Sequence, residues 1–284
     1  MIIPAGASPH EYQLKPSNAK SLQNADIVFW IGEDLTPWLE KGLSSLTKDA
    51  SITSLLGVDG IELLSFREGA LFEAHDHDDH DDHDDHDDHD DHDDHDDHDD
   101  HDDHDDHSGH DHHGHAHGEF DAHIWLDPIN AKEMVHEIAH ELGDLDPANK
   151  NKYEANAQAT IQALDQLVND IEKGINKDAK FVVFHDAYQY FEERFGVRAA
   201  GALTLNTDVL PGAKQIADIQ DVIKDRGIKC IFSEPQFNPK IITTIAEDMN
   251  IKTGVFDPLG ANIDSNKDLY FKLIQNLGNE LKGC

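Results

Sequence analysis

Cysteine is nearly absent from this chain of 284 residues, which has only two. They permit at most one bridge, between Cys230 and Cys284, or else two unrelated buried thiols. A bridge would close a loop of roughly 55 residues, stabilise by roughly 4 kcal/mol in the chain-entropy model and require an oxidising compartment. Basic residues are also in short supply, with 22 Lys and Arg against 59 Asp and Glu, giving a net charge of −37. That balance excludes DNA, RNA or an anionic membrane as partner, because each needs a cationic footprint. No run of about 18 apolar residues occurs, so no helix is expected to cross a bilayer. The opening Met1-Ile-Ile-Pro4 lacks the basic start and apolar length of a secretory signal. There is no glycine-rich phosphate loop and no convincing nucleophile–base pair.

The acidity is concentrated. Residues 75–117 hold 22 Asp and 17 His with no Lys or Arg, so this segment alone carries −22. The remainder carries −15 and has the composition of an ordinary acidic globular protein. From His77 to His107 the unit His-Asp-Asp repeats ten times and ends on His. Such a segment has nothing apolar to bury against its ordering entropy, so disorder is expected. Its interchangeable imidazoles and carboxylates suit low-affinity metal capture or buffering. Only five His lie outside it: His10, His123, His136, His140 and His185.

Elsewhere, short apolar runs alternate with helical patterns. Strands are expected at Asp26–Gly32, Ile61–Phe66, Phe181–Phe184, Cys230–Phe232 and Thr253–Phe256. Helices are expected at Ser17–Ala25, Thr36–Leu46, Ile129–Leu142, Tyr188–Phe195, Pro211–Asp225, Pro239–Met249 and Leu269–Leu281, with a long one over Ala148–Gly174. Alternation of this kind implies parallel sheets covered by helices. The expected fold is α/β, with two lobes joined by a long rigid linking helix. The lobes span 1–147 and 176–284, the linking helix spans 148–175, and the His/Asp-rich loop at 75–117 interrupts the first lobe.

In open parallel sheets, ligands bind beyond the carboxyl ends of the strands. His185, Glu234 and Asp257 follow three strands of the second half, while His10 and His123 occupy comparable places in the first. Three imidazoles and one carboxylate, His10, His123, His185 and Asp257, form a four-donor set suited to Zn²⁺. Glu11 and Asp186 adjoin proposed ligands and could orient them. Glu234 could be a structural group pairing within the second lobe, and Trp30, Trp38 and Trp125 fall in apolar, core-like patterns.

Several motifs stand in order: Gly6-Ala-Ser-Pro-His10-Glu-Tyr, Pro16-Ser, Leu22-Gln-Asn-Ala-Asp26, His123-Ile-Trp-Leu-Asp-Pro128, His185-Asp-Ala-Tyr-Gln-Tyr-Phe191, Glu234-Pro-Gln-Phe237 and Asp257-Pro-Leu-Gly260. Together they resemble the zinc-binding solute-binding proteins of bacterial high-affinity zinc ABC importers, from one end of the chain to the other. A His-rich insert before the His-Ile-Trp motif is also similar to that family's zinc representatives. The resemblance implies Zn²⁺ held by His10, His123 and His185, and a Cys230–Cys284 bridge. The position matching Asp257 is a carboxylate ligand in manganese-binding relatives, whereas zinc members can use water or another carboxylate there. Manganese relatives tend to carry Glu where His185 stands, and imidazole favours zinc. The resemblance further implies a periplasmic, monomeric receptor that delivers zinc to an ABC permease membrane subunit with a cytoplasmic ATPase. Members of the family have a signal peptide and a first strand–helix unit ahead of the residues matching Met1, so this chain is expected to begin inside the domain.

Two other readings compete. His136-Glu137-Ile-Ala-His140 fits the H-E-x-x-H signature of zinc metalloproteases, with both His on one helix face and Glu137 as general base. Against it, Met134, Ile138 and Leu142 form an apolar stripe on that helix, and the His can be its solvated flank. The third reading is a metal buffer with no transporter. The expectation is a zinc receptor, not an enzyme.

Overall fold

The computed structural model describes residues 2–4, 6–67, 69–72, 119–205, 207 and 210–284. The His-Asp repeat, and with it the expectation of disorder and metal capture there, lies outside the described residues.

The first half contains α1 (Pro16–Gln23), β1 (Ile27–Trp30), α2 (Pro37–Leu46), β2 (Ser51–Ser54) and α3 (Pro128–Leu145). β1 and β2 pair in parallel, with Ile27 opposite Ser51 and Trp30 opposite Ser54. Helix α4 (Lys150–Gly174) follows and packs along α3. It buries Ala157, Leu164, Leu167 and Ile171, spaced seven, three and four apart as one helical stripe requires. The second half contains β3 (Phe181–His185), α5 (Gln189–Phe195), β4 (Ala202–Thr204), α6 (Ala213–Asp225), β5 (Cys230–Ser233), α7 (Lys240–Met249), β6 (Lys252–Val255) and α8 (Leu269–Leu281). Its four strands form one parallel sheet in the order β4-β3-β5-β6.

The central strand β3 is buried at every residue, which is why Phe-Val-Val-Phe reads as an unbroken apolar run. On one side of this sheet Phe181, Phe232 and Phe256 pack together, the last two stacked with centroids 4.0 Å apart. On the other, Val182, Phe184, Leu203 and Ile231 meet α6 and α7 through Ile219, Ile223, Ile242 and Ile245. Gly254 in β6 has no room for a side chain, since a Cβ there would overlap the Phe232 ring and the Glu280 carboxylate. Cys230, the first residue of β5, is bonded to Cys284, with Cα atoms 5.6 Å apart. The bridge ties the end of the chain, beyond α8, back to the sheet.

One expectation fails locally. Ile61–Phe66 is not a strand; it carries a single antiparallel bridge, Ser65 to Phe120. Its backbone is satisfied by side chains instead. Glu62 N–H donates to Asn130 Oδ1 at 2.8 Å, Asn130 Nδ2 donates to Glu62 O at 3.0 Å, and Leu64 N–H donates to Tyr190 Oη at 3.0 Å. The partner of β1 is the more polar Ser51-Ile-Thr-Ser54. The short strand β4 was likewise not foreseen. The other elements fall within a few residues of expectation, and Leu269–Leu281 is recovered at both ends.

Candidate metal centre

Three His reach one point from three different structural settings. His185 is the last residue of β3, at the carboxyl end of the sheet. His123 precedes a single 3₁₀ turn, Ile124–Leu126, which leads through Asp127 into α3. Asp127 caps that helix by accepting from Ile129 N–H at 2.8 Å, and Arg194 clamps its two carboxylate oxygens at 2.8 and 2.7 Å. His10 lies in the loop after Pro9, and the Trp38 indole holds that loop by donating to Pro9 O at 2.8 Å. Trp125 acts in the same way: its indole donates to Pro258 O at 2.8 Å while its own carbonyl accepts from Tyr270 Oη at 2.8 Å. These two Trp are half-buried clasps that position loops, a role an apolar pattern alone does not reveal.

The imidazoles face one another through Nε2. His123 Nε2 is 3.3 Å from His10 Nε2 and 3.4 Å from His185 Nε2. His10, His123 and His185 form a group whose donor atoms all lie within 4.8 Å of one another. His123 and His185 are each 4% exposed, and His10 is half-buried. The small cavity around them is walled by Pro9, Trp125, Phe237, Pro258 and Leu259.

The back of each buried ring is fixed. His123 Nδ1 lies 2.6 Å from Asp121 Oδ1, and His185 Nδ1 lies 2.6 Å from Glu234 Oε1. The same two oxygens accept from the backbone N–H groups of His123 and His185, at 3.0 and 3.3 Å. Each carboxylate therefore holds its imidazole with Nδ1 protonated and leaves the Nε2 lone pair for a metal. Two such carboxylates also balance the charge of a dication in a site that excludes most solvent. The His185 ring feels opposing influences. Burial pulls its pKa down, but the surrounding carboxylates, Glu234 foremost with Asp186 and Asp121, together raise it above the ordinary value.

Asp121 and Glu234, not Glu11 and Asp186, stand behind the two buried imidazoles. Asp186 turns away to Arg67, 3.1 Å distant, and burial pushes its carboxyl up to about 7. Glu11 is exposed. Asp121 left no mark in the sequence beyond preceding His123 by two positions. Glu234 was placeable in principle: β3 and β5 run in register with Val183 opposite Phe232, so two residues on, His185 comes level with Glu234. Asp257 is not drawn into the histidine group. Its Oδ1 accepts from Gln236 Nε2 at 3.0 Å and from the backbone N–H groups of Leu259 and Gly260 at 3.2 and 3.0 Å, closing the turn after β6.

The H-E-x-x-H residues lie along α3. The donor group found there consists of Glu137, His140 and Glu141, without His136, which is exposed. Among the described residues no donor group brings His136 together with His140. Met134 and Ile138 face the core, as their spacing implies.

The model of the family "zinc-uptake complex component A periplasmic" matches residues 1–284. This chain belongs to that family. It is 48% identical over 286 residues to the high-affinity zinc uptake system protein ZnuA of Brucella abortus, covering 100% of this chain and 84% of that protein. The ZnuA of Yersinia pestis is 32% identical over 293 residues, covering 100% and 83%. Among solved structures, a crystal structure of ZnuA superposes with a TM-score of 0.71 at 22% identity, over 98% of this chain and 88% of that one. A zinc-bound ZnuA deletion mutant gives 0.68 at 22% identity, over 100% and 89%. At that identity the solved structures speak for the fold, an α/β arrangement of parallel sheets and helices with one long helix.

Proposed function

We propose that this member of the zinc-uptake family captures Zn²⁺ in the periplasm through His10, His123 and His185 and delivers it to an ABC importer. The observation that carries the reading is the convergence of three Nε2 atoms, two of them on rings whose Nδ1 is held by a buried carboxylate. Three imidazoles with a position left open match zinc in coordination number and softness. The zinc-uptake relatives at 48% and 32% identity support the same cargo. Asp257 remains the sequence's candidate for the fourth donor. Its Oδ1 is committed to the turn, so Oδ2 would be the donating oxygen.

The receptor acts as a monomer of two lobes, 1–147 and 176–284, joined by 148–175, and presents both to the permease membrane subunit. It is a binding protein and not an enzyme. Crystals soaked in zinc and measured at the zinc absorption edge should show an anomalous peak among the three Nε2 atoms, and no peak there would refute the assignment. A His185→Ala chain should also fail to restore permease-dependent growth under zinc starvation. Peptidase activity abolished by Glu137→Gln would instead revive the protease reading.

A further inference from the structure

The acidic face of α3 is left over once the buried centre is accounted for. Glu137 and Glu141 lie one helical turn apart, an i,i+4 like-charge pair that destabilises a helix unless something positive lies between. Both are half-buried, so water screens their repulsion less than it would at an open surface. Neither has an ion-pair or hydrogen-bond partner among the described residues. The nearby Lys150 goes to Asp144 at 3.2 Å, and Lys132 goes to Asp165 at 2.7 Å. Between the two Glu in sequence, His140 brings an imidazole to the same place, and one donor atom from each of the three lies within 4.8 Å of the others. Asp144, one turn further on, lies 3.8 Å from His140 Nε2.

From this we infer that α3 carries a second transition-metal site, formed by Glu137, His140 and Glu141, that is distinct from the buried centre and weaker. A divalent ion there would relieve the carboxylate repulsion and gain one imidazole ligand. The imidazole favours zinc-like ions over calcium or magnesium. The site faces solvent, so the ion keeps several waters, and among the described residues no carboxylate hydrogen-bonds the His140 ring to fix its tautomer. It therefore fills only after the buried centre is loaded. This assignment does not depend on the buried centre's being the transport site.

Labelling with diethyl pyrocarbonate tests it on the full chain. Trypsin cuts after Lys132 and Lys150, so one fragment carries His136 and His140 and none of the repeat's His. A second fragment, between Lys180 and Arg194, carries His185 and reports the buried centre separately. With zinc added beyond the amount that protects His185, His140 labelling should fall at least fivefold while the exposed His136 keeps most of its own. The double variant Glu137→Gln/Glu141→Gln should need at least tenfold more zinc for the same protection of His140, with protection of His185 unchanged. The inference is overturned if zinc leaves His140 labelling unaltered, or if the Gln variant responds at the same zinc concentration. Equal protection of His136 would overturn the donor set in favour of the two-His pair.

Discussion

His123 and His185 have 6% and 5% of their side chains exposed, and a carboxylate oxygen stands 2.6 Å from Nδ1 of each. His140, on α3, has 53% of its side chain exposed, and its ion-pair partner among the described residues, Asp144, stands 3.8 Å away. Both places offer imidazole and carboxylate, yet only one is organised before metal arrives. In the buried centre the carboxylates act from behind the ligands, and the folding of three separate segments has already met the cost of ordering them. On α3 the carboxylates are themselves the donors, and a single helix supplies everything. The donor inventory alone does not distinguish the two sites; the rigidity and tautomer control supplied by the surrounding groups do.

The largest expected effect that would sharpen this contrast comes from removing a buried ligand. His123→Ala or His185→Ala should weaken tight zinc binding by more than the ~100-fold upper range for outer-shell changes, as measured by competition against a chelator of known affinity. If either variant kept wild-type affinity, the buried centre would no longer be the tight site. Next come Asp121→Asn and Glu234→Gln, each expected to cost about 10–100-fold because the ring behind the metal loses its fixed tautomer. Wild-type affinity in both would show that the carboxylates hold the fold and not the ligands.

Acidification should have a graded effect. His185 has a raised pKa, so it retains a proton to higher pH than an ordinary imidazole, and zinc must displace that proton. Affinity should be full well above that raised value and fall as pH drops through it, by up to about tenfold per unit for each proton displaced. Calorimetry in buffers of different ionisation enthalpy would count the protons released, and no release near neutrality would contradict this. The smallest effect belongs to α3, where Glu137→Gln should leave the affinity of the first zinc equivalent within about twofold of wild type. A larger loss in the same chelator assay would mean that the two regions are coupled.

Much of this was legible beforehand, for physical reasons that differ by region. The inner strands β3 and β5 are buried on both faces, so Phe181–Phe184 and Cys230–Phe232 declared themselves as continuous apolar runs. The three His were marked by their place at element ends and by their motifs. The partner of β1 was not foreseen because Ser51–Ser54 is short and polar. Ile61–Phe66 looks like a strand, yet it finds its hydrogen bonds in Asn130 and Tyr190, whose positions depend on the finished fold. Asp121 was not recognised for the same reason, and Glu234, expected to pair within the second lobe, was not linked to His185. A carboxylate comes to support an imidazole only through distances that tertiary structure sets, and Asp257, expected as a fourth donor, has its Oδ1 on a turn.

The bridge between Cys230 and Cys284 sits at the entrance of β5, while Glu234 lies just past its exit. At about 3.3 Å per strand residue, roughly 13 Å separates the sulfur chemistry from the carboxylate behind His185. A cell with defective thiol oxidation would therefore produce less of this receptor, or a shorter-lived one. The molecules that did mature would still choose their cargo correctly, which separates the supply of the protein from the selection of its metal.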